Sequence, residues 1–372
     1  MKIVLTGGGT GGHLVPLVTV AEKIKEKVPD AQFIFMGPAG KLERDIMGAA
    51  NIPIRQILSG KKRRYFSLQN FVDVFKIPIG ITQSLFWLLI AMPDAIFSKG
   101  GYAIFPVLLA ARILGIPVVI HESDAVPGRV NLWSGKFAKH VAVSYDEAGV
   151  FFPPKKVAVT GQPIRQEILE KKTEGTFEYL QLDSSMPTIL VLGGSLGAEA
   201  INNIIIDSLL LLLPKYQIIH QTGVNNFEDV KKRTDFILNG KPDLQNRYRP
   251  FPFLNMLALK MAAGASSLVI SRAGSALFEI AAWGIPSILI PIDKSHNDHQ
   301  KKNAFNYARH GGAEVIEEGN LSPTILLSEI KRFYDNDVRR RNMIASAKAF
   351  ATPEASDKIA RMLVDMAIAH EK

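Results

Sequence analysis

The sequence lacks several features on which whole classes of protein depend. It contains no cysteine, which excludes disulfide frameworks, thiolate metal sites and cysteine nucleophiles. The apolar core of a secretory signal is missing after Lys2-Ile-Val-Leu5, so we expect the protein to start at Met1 and to stay in the cytoplasm. Because 47% of the residues are hydrophobic and 21% are charged, disordered and collagen-like chains are excluded as well.

Long hydrophobic runs are also scarce. One candidate is the uncharged stretch of 17 residues between Lys76 and Asp94, but Pro78 and Gly80 interrupt it, and we expect no transmembrane helix. A basic cluster at residues 61–64 lies just upstream. Two interpretations stay open for segment 61–90: docking on an anionic membrane surface, or a solvated charge run beside an ordinary core helix.

Acidic residues are scarce in the first half only. The whole chain has a net charge of +9, of which residues 1–161 carry +8 and residues 162–372 carry +1. This asymmetry predicts that the first half meets an anionic partner: nucleic acid, an anionic membrane or a phosphorylated substrate. A protein that only binds nucleic acid has no need of two glycine-rich turns, which this chain has, so we expect no nucleic acid partner.

Short runs rich in Val and Ile alternate with helical segments along the whole chain. Six such runs precede residue 162 and about five follow it, which predicts parallel sheets covered by helices on both faces. We therefore expect an α/β fold with two doubly wound Rossmann-like lobes facing a central cleft. The first lobe would comprise residues 1–161, with a helix at 352–372 packing back on it, and the second would comprise residues 162–351.

Each expected lobe begins with a strand, a glycine-rich turn and a helix. The first turn, Gly7-x-Gly9-x-x-Gly12, formally matches the dinucleotide fingerprint, but the second strand ends in Phe35-Met-Gly-Pro-Ala39 without the acidic residue that holds a ribose. This disfavours an NAD-dependent enzyme. The bare N–H groups of the turn still suit a phosphate or a sugar. His13 ends the turn, either as a base for a bound substrate or as a packing residue.

The second turn, Gly193-Gly-Ser-Leu-Gly197, matches the nucleophile elbow of hydrolases. Such an elbow normally lies in the middle of one sheet, whereas this turn opens a second lobe, so we expect Ser195 to bind a diphosphate rather than to act as a nucleophile. Metal-binding patterns are weak: Asp335-Asn-Asp337 is typical of a solvated loop, and His296 and His299 lack a third ligand. We expect no metal and no cofactor.

Polar residues follow several expected strands, at the positions where open α/β sheets bind ligands. His121-Glu-Ser-Asp124 follows one strand, and Lys99-Gly-Gly-Tyr102 follows the preceding strand and would line the same crevice. In the second lobe, Ser271-Arg-Ala-Gly-Ser275 follows a strand, and Glu279 comes one helical turn later. That glutamate would either hold a ribose diol or be an exposed helix residue.

Taken in order, these motifs resemble those of the GT-B nucleotide-sugar glycosyltransferases, and among them the enzymes that add N-acetylglucosamine to the lipid-linked muramyl-peptide of bacterial cell-wall synthesis. The resemblance covers nearly the whole chain. It depends on six motifs: Gly8-Gly-Thr-Gly-Gly-His13, Gly100-Gly-Tyr102, His121-Glu122, Gly161-x-Pro-x-Arg165, Gly193-Gly-Ser195 with Gly197-Ala198, and Arg272-x-Gly274 with Glu279.

The resemblance implies UDP-N-acetylglucosamine as the donor, bound mainly by the second lobe. The implied donor-binding residues are Arg165 and Ser195 at the sugar-phosphate, the Leu254 backbone at the uracil, Glu279 at the ribose, Gln300 at the transferred sugar, and Thr10, Gly11, Gly12 and Asp124.

The implied acceptor is undecaprenyl-diphospho-muramoyl-pentapeptide, with its diphosphate on the basic first lobe. The implied acceptor-binding residues are Gly9, Tyr102, His121 and Asn131. Segment 61–90, together with Lys136 and Lys139, would seat the protein on the anionic inner leaflet as a peripheral protein at the cytoplasmic face of the cell membrane.

The implied reaction is an inverting displacement by the C4 hydroxyl of the acceptor. His13 is our first choice for the base and Glu122 the second, while helix N-termini and Arg165 would neutralise the leaving diphosphate. The chain departs from the family where His121-Glu-Ser-Asp124 replaces the frequent His-Glu-Gln-Asn, where Leu196 replaces a glutamine, and where the stretch from Arg272 to Glu279 is one residue short. A related enzyme acting on another lipid, such as diacylglycerol, is the alternative.

Overall fold

The structure is a computed structural model that describes residues 1–8, 11–60, 68–194, 197–293 and 298–371, with the side chains of 68–75 and 371 outside that description. The chain divides into two compact units. Unit 1 comprises Met1–Arg165 and Thr352–Lys372, and unit 2 comprises Gln166–Ala351. Within the described ranges, no helix is long and apolar enough to cross a membrane.

Unit 1 contains a parallel sheet covered by helices. Its described strands are β1 (Lys2–Thr6), β2 (Gln32–Gly37), β3 (Ile54–Gln56), β4 (Ala95–Ser98), β5 (Val118–Glu122), β6 (His140–Val143) and β7 (Val157–Val159). Its described helices are α1 (Gly11–Lys27), α2 (Lys41–Ala49), α3 (Leu68–Ala91), α4 (Phe105–Leu114), α5 (Arg129–Ser134), α6 (Asp146–Gly149) and α17 (Ala355–Glu371). The strand order is β3-β2-β1-β4-β5-β6-β7, with every pairing parallel.

The central strands of unit 1 alternate their side chains between two cores. Ile3 and Leu5 face one core, which α1 and α17 cover, and Val4 faces the other, which α3 and α4 cover. Because both faces are buried, these strands are continuous apolar runs, as expected for a parallel sheet. Helix α17 contributes Ile359 and Leu363, both fully buried, and burial of each side chain contributes about 1.5–3 kcal/mol to the stability of unit 1.

Unit 2 repeats this architecture. Its described strands are β8 (Thr188–Leu192), β9 (Gln217–Gln221), β10 (Tyr248–Phe251), β11 (Leu268–Ser271), β12 (Ser287–Leu289) and β13 (Ala313–Val315), in the parallel order β10-β9-β8-β11-β12-β13. Its described helices are α7 (Gln166–Leu169), α8 (Thr176–Leu180), α9 (Glu199–Leu212), α10 (Phe227–Leu238), α11 (Pro242–Gln245), α12 (Met256–Ala265), α13 (Ala276–Ala282), α14 (His299–Arg309), α15 (Pro323–Tyr334) and α16 (Asp337–Phe350).

The prediction of two doubly wound α/β lobes is confirmed by these two sheets. The sequence analysis missed β3 and β10, which are short edge strands with polar or proline residues, Ile54-Arg-Gln56 and Tyr248-Arg-Pro-Phe251. Edge strands tolerate such residues because one side of their backbone has no neighbouring strand to bond.

Candidate active site

In each sheet the strand order reverses direction next to the first strand of the unit. The reversal lies between β1 and β4 in unit 1 and between β8 and β11 in unit 2. Loops leaving adjacent strands diverge at such a point, and open α/β sheets bind ligands in the crevice that results. Both glycine-rich turns, after β1 and after β8, lie at these positions.

The turn after β1 leads directly into α1, which begins at Gly11. Gly11 and Gly12 are half-buried, and the first helical turn carries no acidic residue. The helix therefore presents its first amide groups and its positive dipole end without a competing carboxylate, which favours an anionic ligand. Gly9 and Thr10, expected to contact acceptor and donor, lie outside the described residues.

His13 is oriented by its own turn. Its Nδ1 lies 2.9 Å from the carbonyl oxygen of Gly8 and donates to it in the neutral tautomer. Nε2 is then the nitrogen that carries the basic lone pair, which is the arrangement a general base requires. Gly101, at φ +102°, closes on this hydrogen bond: a Cβ there would lie 3.2 Å from the Gly8 oxygen.

The loop after β4 therefore packs on the turn after β1. Tyr102, which follows Gly101 directly, is 49% exposed. Gly100, at φ +80°, lies against Asn131, whose amide atoms would come within 3 Å of an added Cβ. The crevice brings together residues that follow β1, β4 and β5, because these three strands are neighbours in the sheet.

Glu122, at the end of β5, holds the loop that follows it. Its carboxylate accepts hydrogen bonds from the amide groups of Asp124 (3.0 Å) and Gly128 (3.0 Å) and from Nδ2 of Asn131 (2.9 Å). Burial and the Asp124 charge raise the pKa of Glu122 to about 7, against the lowering effect of these bonds. The carboxylate is occupied by protein donors, so the geometry favours His13 over Glu122 as the base.

Asn131 is buried and hydrogen-bonds the residues from which the same loop starts. Its Nδ2 also donates to the carbonyl oxygen of His121 (3.2 Å), whereas none of the described residues donates to its buried Oδ1. Asp124, in the same loop, is half-buried. The roles of Asn131 at the acceptor and Asp124 at the donor stay predictions.

His121 is fully buried within a network that the sequence analysis did not foresee. Its Nε2 donates to the carbonyl oxygen of Gly161 (2.9 Å), and its Nδ1 faces the Lys99 ammonium at 2.6 Å. Burial, followed by the Lys99 charge, holds the pKa of His121 well below its ordinary value, so the ring is neutral. Since both nitrogens are occupied, His121 reaches a ligand only through its neighbours, and its predicted contact with the acceptor stays a prediction.

The turn after β8 is shaped by close packing. The amide of Gly193 donates to the Gln221 carbonyl (3.2 Å), and that of Gly197 donates to the Gly194 carbonyl (3.1 Å). Gly197 has φ +83°, and a Cβ there would lie 2.3 Å from the carbonyl oxygen of Thr222. Only glycine fits this approach. Ser195, expected at the diphosphate, and Leu196 lie outside the described residues.

The other predicted donor-binding residues of unit 2 lie on the same side of its sheet, after β10, β11 and β12. Leu254 is buried, and its amide donates to Oε1 of Gln221 (3.0 Å), so a uracil contact with that N–H requires the glutamine to move. Glu279 is half-buried in the first turn of α13. Gln300, in α14, accepts a hydrogen bond through Oε1 from the amide of Ile292 (3.3 Å). The roles of these three residues stay predictions.

Two arginines of the motifs differ in their surroundings. Arg272 is committed to the fold, since its Nη1 donates to the Ile290 carbonyl (2.9 Å) and to the Glu318 carboxylate (2.6 Å). Arg165 is the last residue of unit 1, and no described residue accepts from its buried Nε. The Nε of Arg272 is likewise buried without an acceptor among the described residues, so the two arginines differ in the bonds of their Nη atoms, and the donor contact of Arg165 stays a prediction.

Among the residues that the structure describes, no three His, Cys, Asp or Glu side chains cluster as a metal site. Asn336 of the Asp-x-Asp match caps α16 by accepting from the Arg339 amide (2.8 Å), and Asp337 pairs with Arg340 (2.6 Å). His296 lies outside the described ranges. The expectation of metal-free chemistry stays a prediction.

Comparison with protein families matches both halves of the chain. Residues 3–143 match the glycosyltransferase family 28 N-terminal domain, and residues 188–359 match the glycosyltransferase family 28 C-terminal domain.

Curated relatives extend over nearly the full length. A Treponema denticola protein is 35% identical over 379 residues, covering 97% of this chain and 96% of the relative. A Bacillus subtilis (strain 168) protein is 32% identical over 369 residues, covering 98% and 99%. Both are named UDP-N-acetylglucosamine–N-acetylmuramyl-(pentapeptide) pyrophosphoryl-undecaprenol N-acetylglucosamine transferase.

Solved structures share the architecture. Acinetobacter baumannii MurG superposes with a TM-score of 0.76 at 27% identity, covering 98% of this chain and 99% of that one. A Neisseria meningitidis UDP-GlcNAc 2-epimerase bound to UDP-GlcNAc has a TM-score of 0.66 at 16% identity, covering 98% and 100%, which shows the fold alone. The resemblance drawn from the motifs is confirmed. Because the chain matches both the N-terminal and the C-terminal domain of glycosyltransferase family 28, it is a glycosyltransferase that belongs to this family.

Proposed function

We propose that this enzyme transfers N-acetylglucosamine from UDP-N-acetylglucosamine to the C4 hydroxyl of undecaprenyl-diphospho-muramoyl-pentapeptide. The observation that carries the proposal is His13 at the start of α1, fixed through Nδ1 on the Gly8 carbonyl in a family 28 chain. The names of the relatives fit this acceptor rather than diacylglycerol. Diacylglycerol is uncharged, whereas the muramyl acceptor carries a diphosphate that suits the basic unit 1.

The reaction is a single displacement with inversion. The acceptor's C4 oxygen attacks the anomeric carbon while the bond from that carbon to the diphosphate oxygen breaks, and UDP leaves with the electron pair. The hydroxyl proton passes to Nε2 of His13, since Nδ1 is committed to Gly8. The atoms balance as UDP, the β-linked product and one proton that the imidazolium returns to solvent.

The substrates are anions, and unit 1 is the basic part of the chain. We assign the acceptor diphosphate to the crevice after β1, β4 and β5, beside Tyr102. The donor nucleotide is assigned to unit 2, where Leu254, Glu279 and Gln300 lie after the strands of one sheet. The assignments of Gly9, Thr10, Gly11, Gly12, Asp124, Asn131, Arg165 and Ser195 follow the family pattern as stated above. The leaving diphosphate meets helix N-termini and Arg165, which lets the reaction proceed without a metal.

The lipid-linked acceptor requires a protein at the membrane surface. Helix α3 exposes large apolar side chains, with exposed fractions between 49% and 76% for Ile79, Phe86, Leu89, Ile90 and the following Met92. The Arg55 guanidinium lies 4.7 Å from the Trp87 ring centre, next to this surface. Such a surface with Lys136 and Lys139 suits peripheral binding to the cytoplasmic, anionic leaflet. Cosedimentation with phosphatidylglycerol vesicles, against neutral phosphatidylcholine vesicles, measures this placement.

The experiment that tests the proposal follows UDP release with a short-chain lipid-linked muramyl-pentapeptide diphosphate as acceptor, with and without EDTA. We expect turnover that EDTA does not lower, and a decrease in kcat of about 10³-fold in His13→Ala, the range of a lost general base. His310→Ala is the matched control, because His310 makes the same kind of bond, Nδ1 to the Asn306 carbonyl at 2.9 Å, but on the last turn of α14.

Two outcomes contradict the proposal. Transfer to diacylglycerol, with no transfer to the muramyl acceptor, would establish the alternative enzyme. Equal activity of His13→Ala and His310→Ala would remove His13 from the chemistry and leave Glu122 as the remaining base among our predictions.

A further inference from the structure

Lys99 is a buried lysine whose hydrogen-bond partners are all neutral. It directly follows β4, is 1% exposed, and its Nζ lies 2.6 Å from Nδ1 of His121, 2.6 Å from Oγ of Ser123 and 3.1 Å from Oε1 of Gln162. A charged amine has three N–H donors and no acceptor, and here it finds three acceptors. The network is therefore built for the ammonium form.

The acceptors are fixed by bonds of their own. The Nε2–H of His121 is committed to the Gly161 carbonyl, so its Nδ1 presents a lone pair to Lys99. Gln162 also lies 3.3 Å from the Ser144 hydroxyl through the same Oε1. Because Ser123 belongs to the loop after β5 and Gln162 to the segment after β7, Lys99 ties together two segments that flank the crevice.

The position of Lys99 relates it to the glycine turns. It immediately precedes Gly100 and Gly101, which close on Asn131 and on the Gly8–His13 hydrogen bond, and its Cβ would lie 3.4 Å from a Cβ placed on Gly7. Lys99 thus directly precedes residues that line the crevice to which we assign the acceptor diphosphate, and its ammonium bonds Ser123 of the loop after β5. Burial of a cation costs free energy unless a nearby opposite charge, in the protein or in a bound ligand, compensates for it.

We propose that Lys99 is a positioning residue for the acceptor: its buried ammonium holds the loops after β5 and β7 in place and favours binding of the acceptor's diphosphate in the crevice in front of it. This inference rests on the proposed function. A diphosphate esterified at both ends stays a dianion through the neutral range, so any change in its binding between pH 6 and pH 9 must come from the protein.

The charge of Lys99 changes within that range. Burial lowers the pKa of Lys99 to about 7, against the raising effects of Glu122 and Asp124. The groups that face it are these two carboxylates and His121, which also senses His13. As the pH rises through 7 the free enzyme loses this positive charge, and we expect the KM for the acceptor to rise.

The test compares the wild type with Lys99→Met, which keeps the length of the side chain, and with Lys155→Met, an exposed lysine of the same unit as control. At pH 6.5 we expect Lys99→Met to raise the KM for the acceptor about tenfold, the effect of one nearby charge in a partly screened site, while the KM for UDP-N-acetylglucosamine stays within about twofold. We also expect the increase of the acceptor KM above pH 7 to disappear in Lys99→Met. Lys155→Met should match the wild type throughout.

Other results overturn the inference. The inference is wrong if the acceptor KM of the wild type is constant from pH 6 to pH 9. It is also wrong if the rise of this KM with pH persists in Lys99→Met, because Glu122 would then be the source of the rise. If Lys99→Met does not fold, Glu122→Gln provides the test: loss of that carboxylate removes an effect that raises the pKa of Lys99, so a rise of the acceptor KM that moves to lower pH supports the inference, and an acceptor KM that is constant from pH 5 to pH 9 refutes it. Failure of the proposed function is distinct: the wild type would then show no transfer to this acceptor at any pH.

Discussion

Both units place a buried histidine near a glycine turn, but they surround it differently. In unit 1, His121 lies against the charged Lys99. In unit 2, Nδ1 of His220 accepts from the Tyr248 hydroxyl (2.8 Å) and Nε2 donates to Oδ1 of Asn202 (3.1 Å), so every member is neutral. Asn202 in turn donates to the Thr222 carbonyl (2.9 Å), the oxygen against which Gly197 packs.

This difference separates two uses of a buried polar network. The neutral network of unit 2 satisfies its own donors and acceptors and fixes the shape of the turn after β8. The network of unit 1 also holds a cation whose hydrogen-bond partners are all neutral. The Glu122 and Asp124 carboxylates offset only part of the cost of burying this charge, and we relate the remaining cost to the anion binding proposed for unit 1.

Among the substitutions that test this comparison, we expect Gly197→Ala to have the largest effect on stability. An added Cβ would lie 2.3 Å from the Thr222 carbonyl oxygen and 2.2 Å from Nδ2 of Asn226, at a φ of +83°. We expect the free energy of unfolding of unit 2 to fall by at least about 3 kcal/mol, because backbone strain and a clash with backbone add together. Denaturant unfolding followed by hydrogen exchange in β8–β10 measures it.

Gly194→Ala is the matched control. Gly194 has nearly the same φ, +80°, but nothing lies within 4 Å of an added Cβ, so only the conformational cost of about 1–2 kcal/mol applies. Equal losses of unfolding free energy in the two variants would show that packing against Thr222 does not shape the turn. The role given to the neutral network of unit 2 in this comparison would then be wrong.

We expect a smaller loss of stability of unit 2 at acidic pH. Burial lowers the pKa of His220 to about 3, whereas an unfolded histidine binds its proton near pH 6.5, so the stability this residue provides is complete above pH 6.5 and decreases as the pH falls toward 3. The slope is about 1.4 kcal/mol per pH unit for one proton. At pH 4.5 the loss amounts to about 2.7 kcal/mol.

His220→Gln removes that titration and leaves the one of His121 in place. We expect the pH dependence of the free energy of unfolding of unit 2 to become flatter by about one proton between pH 6.5 and pH 4, measured as hydrogen exchange of the amide groups of β9. An unchanged slope in the variant would mean that His220 is already protonated in the folded protein, against the hydrogen bonds described for it.

Much of the fold could be predicted because burial on both faces of a parallel sheet has a direct signature. Runs such as Thr188-Ile-Leu-Val-Leu192 have no competing interpretation once a glycine turn follows them. The edge strands β3 and β10 lack that signature because their side chains are half-exposed, and Arg55 and Pro250 break the apolar pattern.

The candidate site could be predicted less completely. His13 was predicted as a candidate because a titratable side chain ends a glycine turn, although the same pattern also fits a packing residue. The sequence analysis placed Lys99 at the crevice but did not predict its burial, although a lysine directly after the apolar run Ala95-Ile-Phe-Ser98 is a usable signal of a buried charge. Gln162 gives no local signal at all, since its contact with Lys99 spans 63 positions of sequence and exists only in the folded sheet.

Helix α17 has a consequence for how the protein is made. Its Ile359 and Leu363 cover the same core as Leu14 and Leu17 of α1, and Asp357 pairs with Lys27 at 2.6 Å, yet the whole of unit 2 separates the two helices in the chain. During synthesis on the ribosome, α1 therefore stays uncovered on one face until the last helix emerges. Unit 2 can assemble first, as an insertion within a domain that is still unfinished, and a chain stopped before residue 352 would leave that apolar face open to a chaperone or to another unfinished chain.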